Sequence, residues 1–240
     1  VQPLGAASVF LPSATYPDPS FEANAAGTYI FSLDVWDETG LMSKEPTTMT
    51  VEVVPNEAIH VELLWHNPAD PDETDTGIGV GADLDLHFLH PMAVQPGGPD
   101  VDLDGEPDGW FNNPYDCFWF NQFPDWASPD PMADDDPSLD RDDTDGAGPE
   151  NINLNVPEEL TYRIGVHYWD DYGFGNAFVI VRVYIDGLLV WESEETELTK
   201  LDMWEVAEIT WTGDPVAPAS LYTSGAQIIP NYQSDLFLVE

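Results

Sequence analysis

Runs of β-branched and aromatic residues alternate with polar ones along most of the chain, and Gly, Pro and Asp bound each run. A period of two predicts half-buried strands. The segments that carry it are Tyr29–Trp36, Thr48–Val54, Ile59–Trp65, Leu84–Leu89, Tyr162–Trp169, Ala177–Ile185, Leu188–Glu192 and Trp204–Trp211. Asp186-Gly187 between two apolar runs predicts a two-residue hairpin turn. No segment carries a long helical period, and 22 prolines act against helices. The chain is therefore expected to be all-β.

Three segments emerge. Residues 1–55 close on Thr48-Met-Thr-Val-Glu-Val-Val-Pro55, a last strand and a linker proline. Residues 56–213 make a larger β unit with long acidic loops. Residues 214–240 form a tail with apolar patches at Ala226–Ile229 and Leu236–Val239. In the first segment, Pro19-Ser-Phe21, Ala26-Gly27-Thr28-Tyr29, Leu33-Asp34-Val35-Trp36-Asp37-Glu-Thr-Gly40 and Val51-Glu-Val-Val-Pro55 resemble the C-terminal half of a PKD-type immunoglobulin-like domain. That resemblance implies a partial sandwich of a kind used as spacer and adhesive module in surface proteins. The second segment carries Gly81-Ala-Asp-Leu-Asp-Leu-His87, Trp110-Phe111, Asp116-Cys117, Asp140 to Asn151 and Gly165-Val-His-Tyr-Trp169. It is similar to an acidic domain of unknown function from large secreted bacterial proteins, and its Asp-Leu-Asp-Leu-His element to jelly-roll-like domains near peptidase C-termini. The resemblance implies a second, larger sandwich and supplies no reaction.

Charge changes the picture. The 240 residues hold 46 acids against 5 Lys and Arg, a formal charge of −41. Such a surface repels phosphates and anionic lipid, which excludes nucleic-acid binding and docking on acidic membranes. No stretch is long and apolar enough to span a bilayer as a helix. Clustered carboxylates loosen a compact state unless bound cations, high salt or a basic partner neutralise them. At 42 % hydrophobic residues, the chain still has material for a core. A start at Val1-Gln2-Pro3 reads as a processed product or a fragment. The lone Cys117 excludes an intrachain disulfide and reads as a small buried side chain.

Sixteen of the acids fall between Asp100 and Glu150. Asp100, Asp102, Asp104, Gly105, Glu106 and Asp108 follow the spacing of an oxygen-ligand calcium loop, although Phe111 stands where such a loop places its bidentate Glu. Asp140, Asp142, Asp145 and Glu150 form a second candidate set, with Gly146 and Gly148 allowing sharp turns. A third acidic group, Asp70, Asp72, Glu73 and Asp75, precedes Asp83-Leu-Asp85-Leu-His87. On a strand, Asp83, Asp85 and His87 share one face. The row reads either as a metal-binding face or as the polar face of a half-buried strand. His90 and His167 with His87 would suit zinc or iron. The aromatics from Trp110 to Trp126 read as a mini-core ordering a long loop; exposed, they would stack on sugars.

No nucleophile elbow, phosphate loop, His-Glu-x-x-His or dinucleotide fingerprint occurs, and the carboxylate pairs are what this composition yields by chance. The expectation is a non-catalytic, calcium-stabilised structural protein of the cell surface or extracellular matrix. Its cofactor would be Ca2+. Its partner would be a further copy, joined into a filament when a tail strand completes the first segment's open sandwich. A carbohydrate-binding module, an accessory domain of a secreted hydrolase and adaptation to brine are the alternatives.

Overall fold

The computed structural model describes the chain apart from residues 4, 7, 75, 76, 78, 99, 102, 104, 106, 131, 145, 224–226 and 234–240. In chain order the strands are β1 (Phe10–Leu11), β2 (Ser20–Phe21), β3 (Gly27–Leu33), β4 (Thr47–Val53), β5 (Ile59–His66), β6 (Asp83–Leu89), β7 (Asp116–Cys117), β8 (Ser138–Arg141), β9 (Glu150–Leu154), β10 (Thr161–Asp170), β11 (Ala177–Ile185), β12 (Leu188–Glu192), β13 (Thr196–Leu198), β14 (Met203–Trp211), β15 (Ala219–Tyr222) and β16 (Gln227–Ile229). Among the described residues no helix is long and apolar enough to cross a membrane.

Two antiparallel sheets pack face to face. One runs β15-β14-β10-β6-β7, with β16 also on β14; the other runs β12-β11-β5-β9-β8, with β13 also on β11. The principal strands cross between the sheets in turn: β5, then β6, then β9, then β10, then β11, then β14. Alternation puts Val61, Leu63 and Trp65 of β5 into the interior, facing Leu84, Leu86 and Phe88 of β6 and Ile164, Val166 and Tyr168 of β10. Each such side chain contributes about 1.5–3 kcal/mol relative to exposure. The Asp186-Gly187 turn forms as expected, with φ of 48° and 76°. Both residues lie in the left-handed region that a two-residue hairpin needs.

Each sheet also has a covered outer face. On the first, Trp110, Phe111, Phe118, Ile229 and Tyr232 pack with Leu89, Ala93 and Met203. The aromatic stretch is thus a mini-core. On the second, Glu62 is fully buried, 3.2 Å from Arg182, and accepts the Ala26 N–H at 2.7 Å. Residues 1–55 meet the sandwich there, and Asn151 reaches the Asn24 carbonyl at 3.4 Å. This segment holds the pairs β1–β2 and β3–β4, joined by contacts among Phe10, Phe21, Tyr29 and Phe31. The expected strand to Trp36 stops at Leu33; Trp36 makes an isolated bridge to Met42 and is exposed.

The tail departs from expectation. β15 and β16 are strands of the sandwich, and Gln227–Ile229 pairs with Met203–Glu205 of its own chain. The described part of the Ala226–Ile229 patch, Gln227–Ile229, takes the edge of β14 that β15 leaves uncovered, and Ile229 fills the mini-core. Leu236–Val239, the other expected donor strand, lies outside the described residues.

Candidate metal centre

Strand β6 sets Asp83, Asp85 and His87 on the outer face of its sheet, as expected. Asp85 stands opposite His167 of β10, and Asp83 opposite Asp170. All three β6 side chains are buried, Asp85 to 3 % exposure. Strand β9 contributes from the other sheet. Period-two alternation puts Glu150 on the face of Ile152 and Leu154, so a carboxylate enters between the sheets. Its Oε2 accepts the Leu86 N–H at 2.7 Å. β7 is two residues long and pairs with Phe88 and Leu89, so Glu150 caps β6 beyond the reach of that pairing.

The connection from β8 to β9 brings in the third carboxylate. Gly146 has φ of 104°, and a Cβ there would stand 2.4 Å from the Gly81 Cα. Only a glycine lets this loop lie on the backbone just ahead of Asp83. The Asp143 N–H donates to Glu150 Oε1 at 3.2 Å, and Gln122 donates to Asp142 Oδ2 at 3.1 Å. Oxygens of Asp85, Asp142 and Glu150 then lie within 4.8 Å of one another. Two of the groups are enclosed; Asp142 is exposed at the rim.

The electrostatics follow from burial. Asp83 is pushed up to about 7, first by desolvation and then by Asp142, Asp170 and Asp143. Asp85 is raised well above the carboxylate range by desolvation, then by Asp83, Asp142 and Asp116. Glu150 is raised by desolvation, then by Asp85 and Asp142, against the Leu86 hydrogen bond. Asp142 is raised by desolvation and by Asp143, against the bond from Gln122. Asp83 Oδ1 and Asp85 Oδ2 are buried with no hydrogen-bond partner among the described residues. Nearby, Arg141 is engaged by Asp143 at 2.7 Å and by Glu22 at 3.5 Å.

The donor set suits a hard cation. Two oxygens bound to one Ca2+ at about 2.4 Å can stand up to about 4.8 Å apart, whereas Mg2+ at about 2.0–2.1 Å needs a tighter group. An open rim leaves room for water ligands.

Of the residues singled out in the sequence, Asp85, Asp142 and Glu150 come together, with Asp83 beside them. Asp140 does not join: it accepts from Ser138 at 2.8 Å and from the Asn153 amide. In the leading candidate loop, Asp100 accepts the Gly105 N–H at 3.1 Å and Asp108 the Val101 N–H at 2.7 Å. These two carboxylates brace their own turn. Asp102, Asp104, Glu106 and Asp145 lie outside the described residues. Asp70, Asp72 and Glu73 accept the backbone N–H groups of Asp72, Thr74 and Asn67, and Asp75 lies outside.

The three histidines do not assemble. His87 and His167 stand 6.5 Å apart between ring centroids. His90 packs instead on Tyr115, Trp126 and Tyr162, and its Nδ1 accepts the Met92 N–H. His90 falls on the opposite face from His87, an odd number of residues along. His87 Nδ1 lies 2.7 Å from Asp116 Oδ2, which also accepts the Phe111 N–H. Burial, then His87, pushes His167 down to about 3, so its ring is neutral. Trp110 is enclosed, with the Arg163 guanidinium 5.0 Å over its ring, so it presents no sugar-stacking face. Cys117 is buried, and desolvation raises its thiol.

Sequence reasoning did not place Glu150 on a strand or recognise Asp116 as the partner of His87. For Glu150 the signal was the spacing Glu150, Ile152, Leu154. No family model, curated protein or solved structure matches the chain.

Proposed function

We propose that this protein is a calcium-locked structural module of the cell surface or extracellular matrix. The cation binds Asp85, Asp142 and Glu150 and ties the acidic loop of one sheet to β6 of the other. One observation carries the reading: three carboxylates, two of them buried, converge at the sandwich edge, and one oxygen of Asp85 has no hydrogen-bond partner among the described residues. Enclosed carboxylates this close repel one another unless protons or a cation intervene. An ion that binds only the folded chain stabilises it by about 2.7 kcal/mol at a hundredfold excess over Kd. The partial PKD-type reading of residues 1–55 and secretion fit a spacer on a cell surface, where calcium is plentiful.

The test is thermal unfolding of chelator-treated protein in dilute buffer, with millimolar CaCl2, MgCl2 or matched KCl. Calcium should raise the midpoint by several degrees, magnesium less, and matched KCl hardly at all. The Asp142→Asn and Glu150→Gln variants should lose that gain. If molar KCl stabilises the wild type as well as calcium does, the charge is an adaptation to brine and the reading fails.

A further inference from the structure

The two sheets part along one side of the sandwich, where β12 ends one sheet and β15 the other. Between these edges runs an apolar groove of about 430 Å3. Core residues Val183, Ile185 and Ile209 floor it, and Leu188, Val190 and Leu221 wall it. Pairing sets the direction of the walls. Leu188 stands opposite Ile185 and Leu221 opposite Ile209, and directly opposed residues share a face, so both point inward. Yet Leu188 is 71 % exposed and Val190 51 %. An inward face left in water marks a place where the sandwich lacks a neighbour. Among the described residues no strand pairs with the outer edge of β12 or of β15, so backbone donors and acceptors are available there too.

We propose that this groove takes Leu236–Val239 of a second copy as an added strand, so that copies join head to tail. Leu236-Phe-Leu-Val239 is an uncharged apolar run between Asp235 and Glu240. As a strand its four residues span about 13 Å, against about 17 Å for the five of β12. Main-chain bonds to the β12 edge supply affinity, and alternate side chains enter the groove. In its own chain the run falls short of the groove. The last described residues, Tyr232 and Gln233, lie at the far end of β14, where the Tyr232 N–H donates to the Leu201 carbonyl at 2.8 Å. From Met203 to Ile209 is about 20 Å along that strand, whereas Leu236 stands only about 10 Å of extended chain beyond Gln233. The donor is therefore another copy's. Charge selects the same face. Gly187–Trp191 and Pro215–Tyr222 hold no charged residue, in a chain of formal charge −41. Two such chains approach with least repulsion there. The first segment is the weaker acceptor, because Val1 already pairs with Ile30 through both backbone groups, at 2.8 and 2.9 Å. Donor and acceptor are different surfaces, so the contact propagates instead of closing on itself.

The experiment is sedimentation velocity of the full chain in excess calcium, from micromolar to submillimolar concentration. Wild type should form a concentration-dependent, open-ended series of oligomers. Val190→Glu blocks the groove and Leu238→Asp the run, and each variant should be monomeric alone. Their equimolar mixture should form a heterodimer and stop there. The intact run of the first enters the intact groove of the second, and no further pair is left. Val216→Glu, at a rim position that is 90 % exposed, repeats the groove block. All three variants should keep the calcium gain in unfolding midpoint, since the groove holds none of the carboxylate trio. Wild type that stays monomeric, as when each run fills its own groove, would overturn the proposal. So would Leu238→Asp protein that still dimerises, the mark of two grooves meeting face to face, or a mixture without heterodimer. Assembly with no calcium gain would sink the calcium reading alone.

Discussion

Removing metal should make this protein less stable as pH rises through neutrality, and the carboxylates around Asp85 set the size of the effect. Asp83 titrates near 7 in the folded chain, against 3.8 as its ordinary value. Between those limits the folded state holds a proton that the unfolded state has released. Unfolding free energy then falls by about 1.4 kcal/mol per pH unit for that group. Across the window this amounts to about 4 kcal/mol, fully present below pH 4 and lost once pH passes 7. Asp85 and Glu150 are displaced in the same direction, so they add to the fall. Against a typical total of about 5–15 kcal/mol, the loss is large. Calcium replaces the protons, so it should flatten the profile and act most strongly at pH 8. The assay is urea unfolding at pH 5, 6, 7 and 8, with chelator or with calcium. General repulsion among 46 acids has the same sign, so a variant must separate the two. Asp85→Asn should flatten the chelator profile and stabilise the metal-free protein at pH 8. Glu38→Gln, at an exposed position, should leave the slope unchanged. An Asp85→Asn slope equal to wild type, or metal-free stability that rises with pH, would refute the reasoning.

Three further outcomes can be checked by the same unfolding assay. Gly146→Ala should destabilise by about 2 kcal/mol or more and reduce the calcium gain, because its Cβ meets the Gly81 backbone at 2.4 Å. Arg182→Met should cost about 3–5 kcal/mol by leaving Glu62 buried and unpaired, and adding Glu62→Met should recover most of it. Trp110→Ala should cost about 3–5 kcal/mol while leaving retention on a polysaccharide panel unaltered, since the ring is packed against Arg163 and His87.

Strands rich in β-branched, aromatic and aliphatic residues were legible from residue types alone: Ala177–Ile185 and Leu188–Glu192 match their predicted bounds. The pair β8 and β9 was not. Ser138-Leu-Asp-Arg141 and Glu150-Asn-Ile-Asn-Leu154 carry charge at or beside their core positions, so they read as acidic loop. Of that charge, Glu150 belongs to the acidic cluster. Both halves of the acidic cluster were visible separately, as the Asp83–Asp85 row and the Asp140–Glu150 run. Joining them required the register that sets Glu150 against Leu86 and the Gly146–Gly81 contact, neither of which is local in sequence. The most regular spacing, Asp100–Asp108, has Asp102, Asp104 and Glu106 outside the described residues; the other two, Asp100 and Asp108, each give one oxygen to their own backbone. Spacing reports which oxygens a single loop can gather; it is blind to carboxylates delivered by opposite sheets.

The contact between Glu150 and Leu86 joins positions 64 residues apart. An ion held there turns the intervening chain into a sealed ring. When such a module is stretched from its ends, the ring stays out of the load path until the ion is released, hiding roughly 220 Å of extended polypeptide. Single-molecule pulling should then record a short rupture with calcium and a second lengthening after it, merging into one full-length event in chelator. Dissolved calcium would thereby set how far a tether built from this module can extend before it gives way.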